Sequence, residues 1–444
     1  MLQFIFNPMP WMEACAQRYG DIFTVKLNQP AVFVSNPEAL QQILTSDTKE
    51  FAAPSDWNNV FEPMLGKNSV IMVSGEVHRR HRQLLMPPFH GDRMRTYGQV
   101  MNQVTEEIIS KWEIGKNFDV RQQMQGITLR VIMQAVFGLY TGERAEELEK
   151  LLGLMLDEGG SSPWRVMQLY FPALQKDLGA GSSWGKFLRR RARVDELLYA
   201  EIQERRANPD ASRTDILSLL MAATDEHGES MTDEELRDEL MTLLTAGHET
   251  TATALMWALY WIHKIPRVKE KLLAEIHGLG DNFEPSSVFK LPYLNAVCNE
   301  ALRIYPVGML TFPRVVTTPV SLCGHELEPG TVVIGSIYSL HQREDLYPEH
   351  QQFKPERFLE RQYSPYEFMP FGGGARRCIG MAFAQFEMKV ILARVLATWE
   401  LGLVDDRDVR PKRRGLVTGP DRPVEMMAKS RCQTGSEVLS AVHG

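Results

Sequence analysis

The segment Phe371-Gly372-Gly373-Gly374-Ala375-Arg376-Arg377-Cys378-Ile379-Gly380 gathers the residue types that a thiolate metal ligand needs. An ionised sulfur requires charge stabilisation, close approach of backbone and protection from competing chemistry. Cys378 stands just ahead of a stretch, about 379 to 399, that reads as a helix. Unpaired amides and the positive dipole end there favour an anion. The three glycines let backbone pass close to a flat ligand and turn amides toward the sulfur. Arg376 can form a charge-assisted contact with a carboxylate of such a ligand. Each feature alone has a blander reading: a buried cysteine is usually an inert small hydrophobe, and a glycine run is usually a turn. A second constellation, Ala246-Gly247-His248-Glu249-Thr250-Thr251, sets an acid beside an alcohol. Adjacent helical residues do not ordinarily share a face, and a mid-helix threonine often bonds back to a carbonyl. Glu300 and Arg303 lie one turn apart and do share a face, as common surface ion pairs do.

These groups need long elements to hold them. Thr232 to Glu235 forms a capping box, and the helix it opens runs to Lys264, where Pro266 stops it. Roughly 30 residues would cover about 45 Å, enough to cross a whole domain. Pro266 starts another helix, ending near Gly278. Near the start, Asp21 to Leu27 and Ala31 to Ser35 alternate in polarity around Asn28-Gln29-Pro30, a strand-turn-strand pattern. Val, Thr and Gly at short spacing over 307 to 340 predict a small sheet, and 348 to 374 reads as a long ordered loop. The expectation is one mainly α domain over 1–444 with small β-sheets. Its β-rich N-terminal part covers about 20–60, its helical core 75–305 and 379–400, and its late sheet region 307–340 and 401–430.

Composition narrows the class. A net charge of -7 argues against nucleic acid as a partner. Five cysteines without a Cys-x-x-Cys pair indicate neither a zinc ribbon nor a disulfide framework. They fit a reducing, cytoplasmic setting. Met1 to Trp11 is apolar but short, and Leu240 to Ile262 contains His248 and Glu249, costly in mid-bilayer. The prediction is no transmembrane segment and at most a peripheral membrane contact. Gly179 to Gly185 lacks the preceding strand of a dinucleotide site.

Phe371, Gly374, Arg376, Cys378 and Gly380 fill every defined position of Phe-x-x-Gly-x-Arg-x-Cys-x-Gly, the cysteine-loop signature of the cytochrome P-450 family. Five fixed letters match by chance about once in three million starts, so the signal is specific. The chain resembles this family from the early hairpin to past Trp399. The resemblance implies the P-450 fold, a helix-rich domain whose haem b (iron protoporphyrin IX) lies between the long distal helix and the cysteine-loop helix. Cys378 would be the axial iron ligand. His78, Arg82, Arg314 and Arg376 would bind the propionates. Glu300, Arg303 and the arginine of Pro355-Glu356-Arg357-Phe358 would form a structural triad needed for haem incorporation. Ala246-Gly247-His248-Glu249-Thr250 matches the oxygen-activation motif: Gly247 leaves room for dioxygen, Thr250 opens a groove that holds dioxygen or a water, and Glu249 relays protons.

In the regions that line the family's pocket this chain carries Phe61, Met64, Leu243, Val307, Met309, Leu310 and Val417, with Trp57, Val60, Trp164, Met167, Phe171, Leu244 and Leu416 nearby. An apolar pocket implies a lipophilic substrate held by shape. The motif wording resembles bacterial members of fatty-acid-hydroxylase kind, so a fatty acid, alkane or terpene is expected. No flavin or nicotinamide domain is attached, so a separate ferredoxin or flavodoxin, with its reductase, would bring electrons to a monomeric enzyme. Arg79, Arg80, Arg377 and Lys389 are candidates to dock it. In one departure, the lead ahead of the first hairpin is very short. The alternatives are a peroxygenase or hydroperoxide isomerase of the same fold, relatives that commonly lack the acid-alcohol pair, and a non-catalytic haem sensor.

Overall fold

The computed structural model describes residues 2–432 apart from 27–28, 47–48, 54–57, 92, 139–141, 162–163, 165–166, 169–170, 180, 211, 281 and 416. The longest helix, Asp233–Lys264, starts where the capping box requires. Thr232 Oγ1 accepts from the Glu235 N–H at 3.2 Å, and the Glu235 carboxylate accepts from the Thr232 N–H at 2.8 Å. Its 32 residues span about 48 Å. Residues 251–260 are buried on every side, the pattern of a helix with no solvent face. This central helix packs against helices Val120–Phe137, Pro292–Ile304 and Met381–Thr398. Pro266–His277 follows it with proline at its first position.

Among the described residues, four small sheets frame the helices. The largest has the order β1-β2-β8-β5-β3, built from β1 (Ile22–Lys26), β2 (Pro30–Val34), β3 (Phe51–Ala52), β5 (Arg314–Val316) and β8 (Val332–Gly335). β1 and β2 form the expected hairpin, whose Leu27 and Asn28 lie outside the described residues. β2 then pairs in parallel with β8, Val34 opposite Gly335, so the chain's start is tied to its late sheet region. β4 (Asn117–Asp119), β12 (Glu425–Arg431) and β9 (Trp399–Leu403) make a three-stranded sheet. β10 (Pro411–Arg414) with β11 (Val417–Pro420), and β6 (Val320–Leu322) with β7 (His325–Leu327), complete the set as hairpins. The fold is therefore helix-rich with small sheets, as the sequence predicts.

The short lead is structured. Leu2–Phe6 and Pro8–Tyr19 are both helical. Pro8 and Pro10 stand in the first turn of the second helix, where a missing N–H breaks no intrahelical bond. Phe4 and Trp11 pack edge-on against Phe33 of β2, and Met9 and Met12 are buried against Met309 and Tyr338. Among the described residues no helix is long and apolar enough to cross a membrane.

Candidate functional site

The cysteine loop is closed by one bond, from the Cys378 N–H to the Phe371 carbonyl at 3.0 Å. Gly372 and Gly374 adopt φ of +67° and +64°, the left-handed region that favours glycine. A Cβ on Gly373 would stand 2.8 Å from Leu44 Cδ1, so that glycine sets a close approach. Cys378 has accessible surface, yet it lies deep in the protein. The two facts agree because that surface opens into an internal cavity of about 360 Å³. Burial pushes the thiol up, opposed by the Gly380 amide and by the charges of Arg82 and Arg377.

Ala246, Gly247 and Thr250 of the central helix line the same cavity, together with Leu243, Val307, Leu310 and Val417. Thr250 Oγ1 donates back to the Ala246 carbonyl at 2.6 Å. Gly247 has a packing reason of its own, since a Cβ there would come within 2.9 Å of Ile132 Cδ1. Glu249 is absent from the cavity lining. Its carboxylate accepts from Arg121 Nη2 at 2.5 Å and Gln125 Nε2 at 2.7 Å, with Arg414 Nε at 3.8 Å. One residue along a helix is a turn of about 100°, which carries the acid away from the wall that Thr250 faces.

His78 and Arg82 lie one turn apart on helix Gly75–Leu85, and both reach the cavity, as do Arg314 and Arg376. Arg376 donates to the carbonyls of Val70 at 2.7 Å and Val73 at 2.6 Å. Arg314 donates to Phe312 O at 2.9 Å. Burial holds the Arg82 guanidinium below its ordinary value, with Cys378 acting the other way. His78, Arg82, Arg314 and Arg376 thus bring hydrogen-bond donors from three parts of the chain to one largely apolar cavity. A sulfur on one wall, a glycine-bearing helix on another and a set of cations fit a flat, dianionic, iron-bearing ligand. Phe371 and Gly380 line the cavity, whereas Gly374 lies within the loop and outside the lining.

Glu300, Arg303 and Arg357 do meet, and they are buried, so the surface ion-pair reading fails. Glu300 accepts from Arg303 at 2.7 and 2.9 Å, from Arg357 Nε at 3.1 Å and from the Lys354 N–H at 2.8 Å.

Three expected pocket residues lie elsewhere. Met309 is buried against Met9 and Met12 of helix Pro8–Tyr19, Met64 packs on the main core, and the Phe61 ring sits 6.1 Å from Phe312, which takes the lining place. Leu244 is core, and Trp164 is 54% exposed. Val60, Met167 and Phe171 do not line the cavity, and Trp57 and Leu416 lie outside the described residues. Of the proposed docking cations, Arg80 is spent on Asp225 at 2.6 Å and Glu235 at 3.0 Å. Lys389 is buried against the Phe289 ring. Arg79 is exposed but paired with Glu76 at 2.6 Å and Glu226 at 3.5 Å, and Arg377 is exposed beside the cavity it helps to line. Sequence reading passed over Glu387, fully buried beside Thr251, whose carboxyl burial pushes well above the ordinary range. A lone acid within the apolar run 381–398 was the available signal.

The family described as Cytochrome P-450 matches residues 1–425 of the chain. A protein of Mycobacterium tuberculosis, cytochrome P-450 135B1, is 36% identical over 425 residues, covering 95% of this chain and 87% of the relative. The chain belongs to the cytochrome P-450 family. Cytochrome P-450 138 of the same organism is 31% identical, over 94% of this chain and 91% of the relative. Among solved structures, the retinoic acid-bound cyanobacterial CYP120A1 superposes with a TM-score of 0.85 at 24% identity, over 97% of this chain and 96% of the other. The haem domain of cytochrome P-450DA gives 0.81 at 23%, over 95% and 92%. At that identity the likeness speaks to the fold. Membership of the P-450 family makes the chain an oxidoreductase of monooxygenase type, in a fold whose typical cofactor is haem b.

Proposed function

We propose that this chain is a haem-thiolate monooxygenase that inserts one atom of dioxygen into an unactivated C–H bond of a fatty acid, alkane or terpene. The observation that carries the reading is the placement of Cys378 and the Ala246-Gly247-Thr250 stretch on one shared, mostly apolar cavity. Haem, when bound, supplies the reductive activation of dioxygen, one atom going to substrate and one to water with two electrons and two protons from outside.

The chain's own residues divide the remaining work. Cys378 provides the sulfur ligand, and the loop's glycines hold backbone close to it. His78, Arg82, Arg314 and Arg376 bind the carboxylates. Leu243, Val307, Leu310 and Val417 bind substrate by shape and keep bulk water out. Thr250 can turn its hydroxyl from the Ala246 carbonyl to a water or dioxygen in the cavity. For Glu249 to pass a proton inward, its carboxylate has to leave Arg121 and Gln125. Arg79 and Arg377 offer charge to an acidic ferredoxin or flavodoxin.

A second reading, a peroxygenase or hydroperoxide isomerase, is favoured by one observation, the Glu249 carboxylate held away from the cavity. Both readings meet in one experiment. Purified holoprotein is titrated spectrally with fatty acids, alkanes and terpenes, and each binder is offered either dioxygen with a reductant system or peroxide alone. Product with dioxygen and reductant is expected. Product with peroxide only would move the assignment to the second reading.

A further inference from the structure

His341 is a fully buried imidazole between the Glu300 cluster and the segment leading into the cysteine loop. Its carbonyl accepts from Arg303 Nη1 at 2.9 Å. Its Nε2 lies 3.0 Å from the Met369 backbone N. A backbone N–H can only donate, so Nε2 is the acceptor and the one proton of the neutral ring sits on Nδ1. Nδ1 has no hydrogen-bond partner among the described residues. The ring is clamped flat by Phe368, centroids 5.5 Å apart and planes at 26°, and edge-on by Tyr347 at 6.0 Å.

Met369 starts the turn that presents the sulfur. Its carbonyl accepts from the Gly372 N–H at 3.0 Å, and its side chain is buried beside Leu44, the residue a Cβ on Gly373 would strike. The next carbonyl but one, that of Phe371, accepts from the Cys378 N–H at 3.0 Å. An unbroken line of bonds therefore runs from Arg303 through His341 and Met369 to the cysteine. Leaving Nδ1–H unpaired in the interior costs free energy that an apolar side chain would not incur. The ring's one polar gain at this place is the bond to Met369.

We propose that His341 is a positioning residue for the Cys378 loop, its Nε2 fixing the Met369 amide and thereby the turn that presents the sulfur. The inference rests on the haem reading above. Burial and the neighbouring Arg303 charge hold the imidazole down to about 3, so it stays an acceptor at any pH where the protein is handled.

The test contrasts three variants of the full chain. A Gln amide reaches the place of Nε2, an Asn amide only that of Nδ1, and Leu fills space without an acceptor. Two quantities are read: hydrogen exchange of the 366–372 backbone in protein without haem, and the rate of haem release to apomyoglobin in the holoprotein. His341→Gln should stay within about twofold of wild type in both, while His341→Asn and His341→Leu should raise both about tenfold with far-UV dichroism unchanged. Leu or Asn matching wild type, or Gln as fast as Leu, overturns the proposal. If the Leu variant fails to fold, Asn against Gln decides by the same criterion. Failure of the wild type to take up haem would sink the functional reading, and the exchange comparison would still judge His341.

Discussion

Glu249 and Thr250 are neighbours in the chain and face different surroundings. The acid is bound by Arg121 and Gln125, and the alcohol borders the cavity with its hydroxyl on the Ala246 carbonyl. Deleting that hydroxyl therefore removes no tertiary contact, and Thr250→Ala should change stability by less than about 1 kcal/mol, read by chemical denaturation. Its effect belongs to turnover: product formed per electron pair consumed should fall several-fold with water or peroxide made instead. Tight coupling in the variant would remove Thr250 from the proton path. Cys378 behaves differently, since its surroundings raise the free thiol while its amide and cation neighbours favour the anion. A bound metal ion completes that balance, because a coordinating thiol is deprotonated outright.

Helix Gly75–Leu85 carries His78 and Arg82 into the cavity, so whatever holds that helix sets the cation geometry. On its other side His81 is wholly buried, with Nδ1 2.8 Å from Glu239 Oε1 and Nε2 3.1 Å from Glu235 Oε1 of the central helix. Arg80, Asp225 and Asp238 are the further charges around the pair. Burial pushes the Glu239 carboxyl up to about 7, and its two carboxylate partners hold His81 above its ordinary value against burial. Both folded-state values exceed the unfolded ones. Each contribution is thus full below the unfolded value, 4.5 for the carboxyl and 6.5 for the imidazole, and is lost as pH rises through the folded value. Stability should fall from about pH 5 through about pH 7, the range of the Glu239 shift, and Glu239→Gln should flatten that slope. Urea midpoints across the range check it, and an unchanged slope would dismiss the pair as its source.

Elements of this kind differ in how far sequence reveals them. The central helix was legible to the residue because Thr232, Glu235 and Pro266 act locally, through bonds within a few residues. The early hairpin and the helix after Cys378 were legible for the same reason. The parallel pairing of β2 with β8 was not, because it joins segments some 300 residues apart through buried, uniformly apolar strands. Met309 was misassigned to the pocket because an apolar residue carries no mark of which wall it faces, and the N-terminal helices that cover it lie far away in sequence. Lys389 reads in sequence as a surface cation, whereas it packs over the Phe289 ring, a contact across 100 residues that no local pattern marks.

At the scale of the whole molecule, the late sheet region, the central helix and the cysteine loop converge from distant parts of the chain on one cavity. Arg314, Thr250 and Cys378 meet there although their local sequences share nothing. The central claim is that sulfur of Cys378 holds iron protoporphyrin across from the central helix. The ferrous carbonyl absorption spectrum of haem-loaded protein tests it most directly, in wild type and in Cys378→Ser. Thiolate-type absorption in wild type that vanishes in the variant is the predicted result. Imidazole-type absorption in wild type, or thiolate-type absorption surviving in Cys378→Ser, would contradict it.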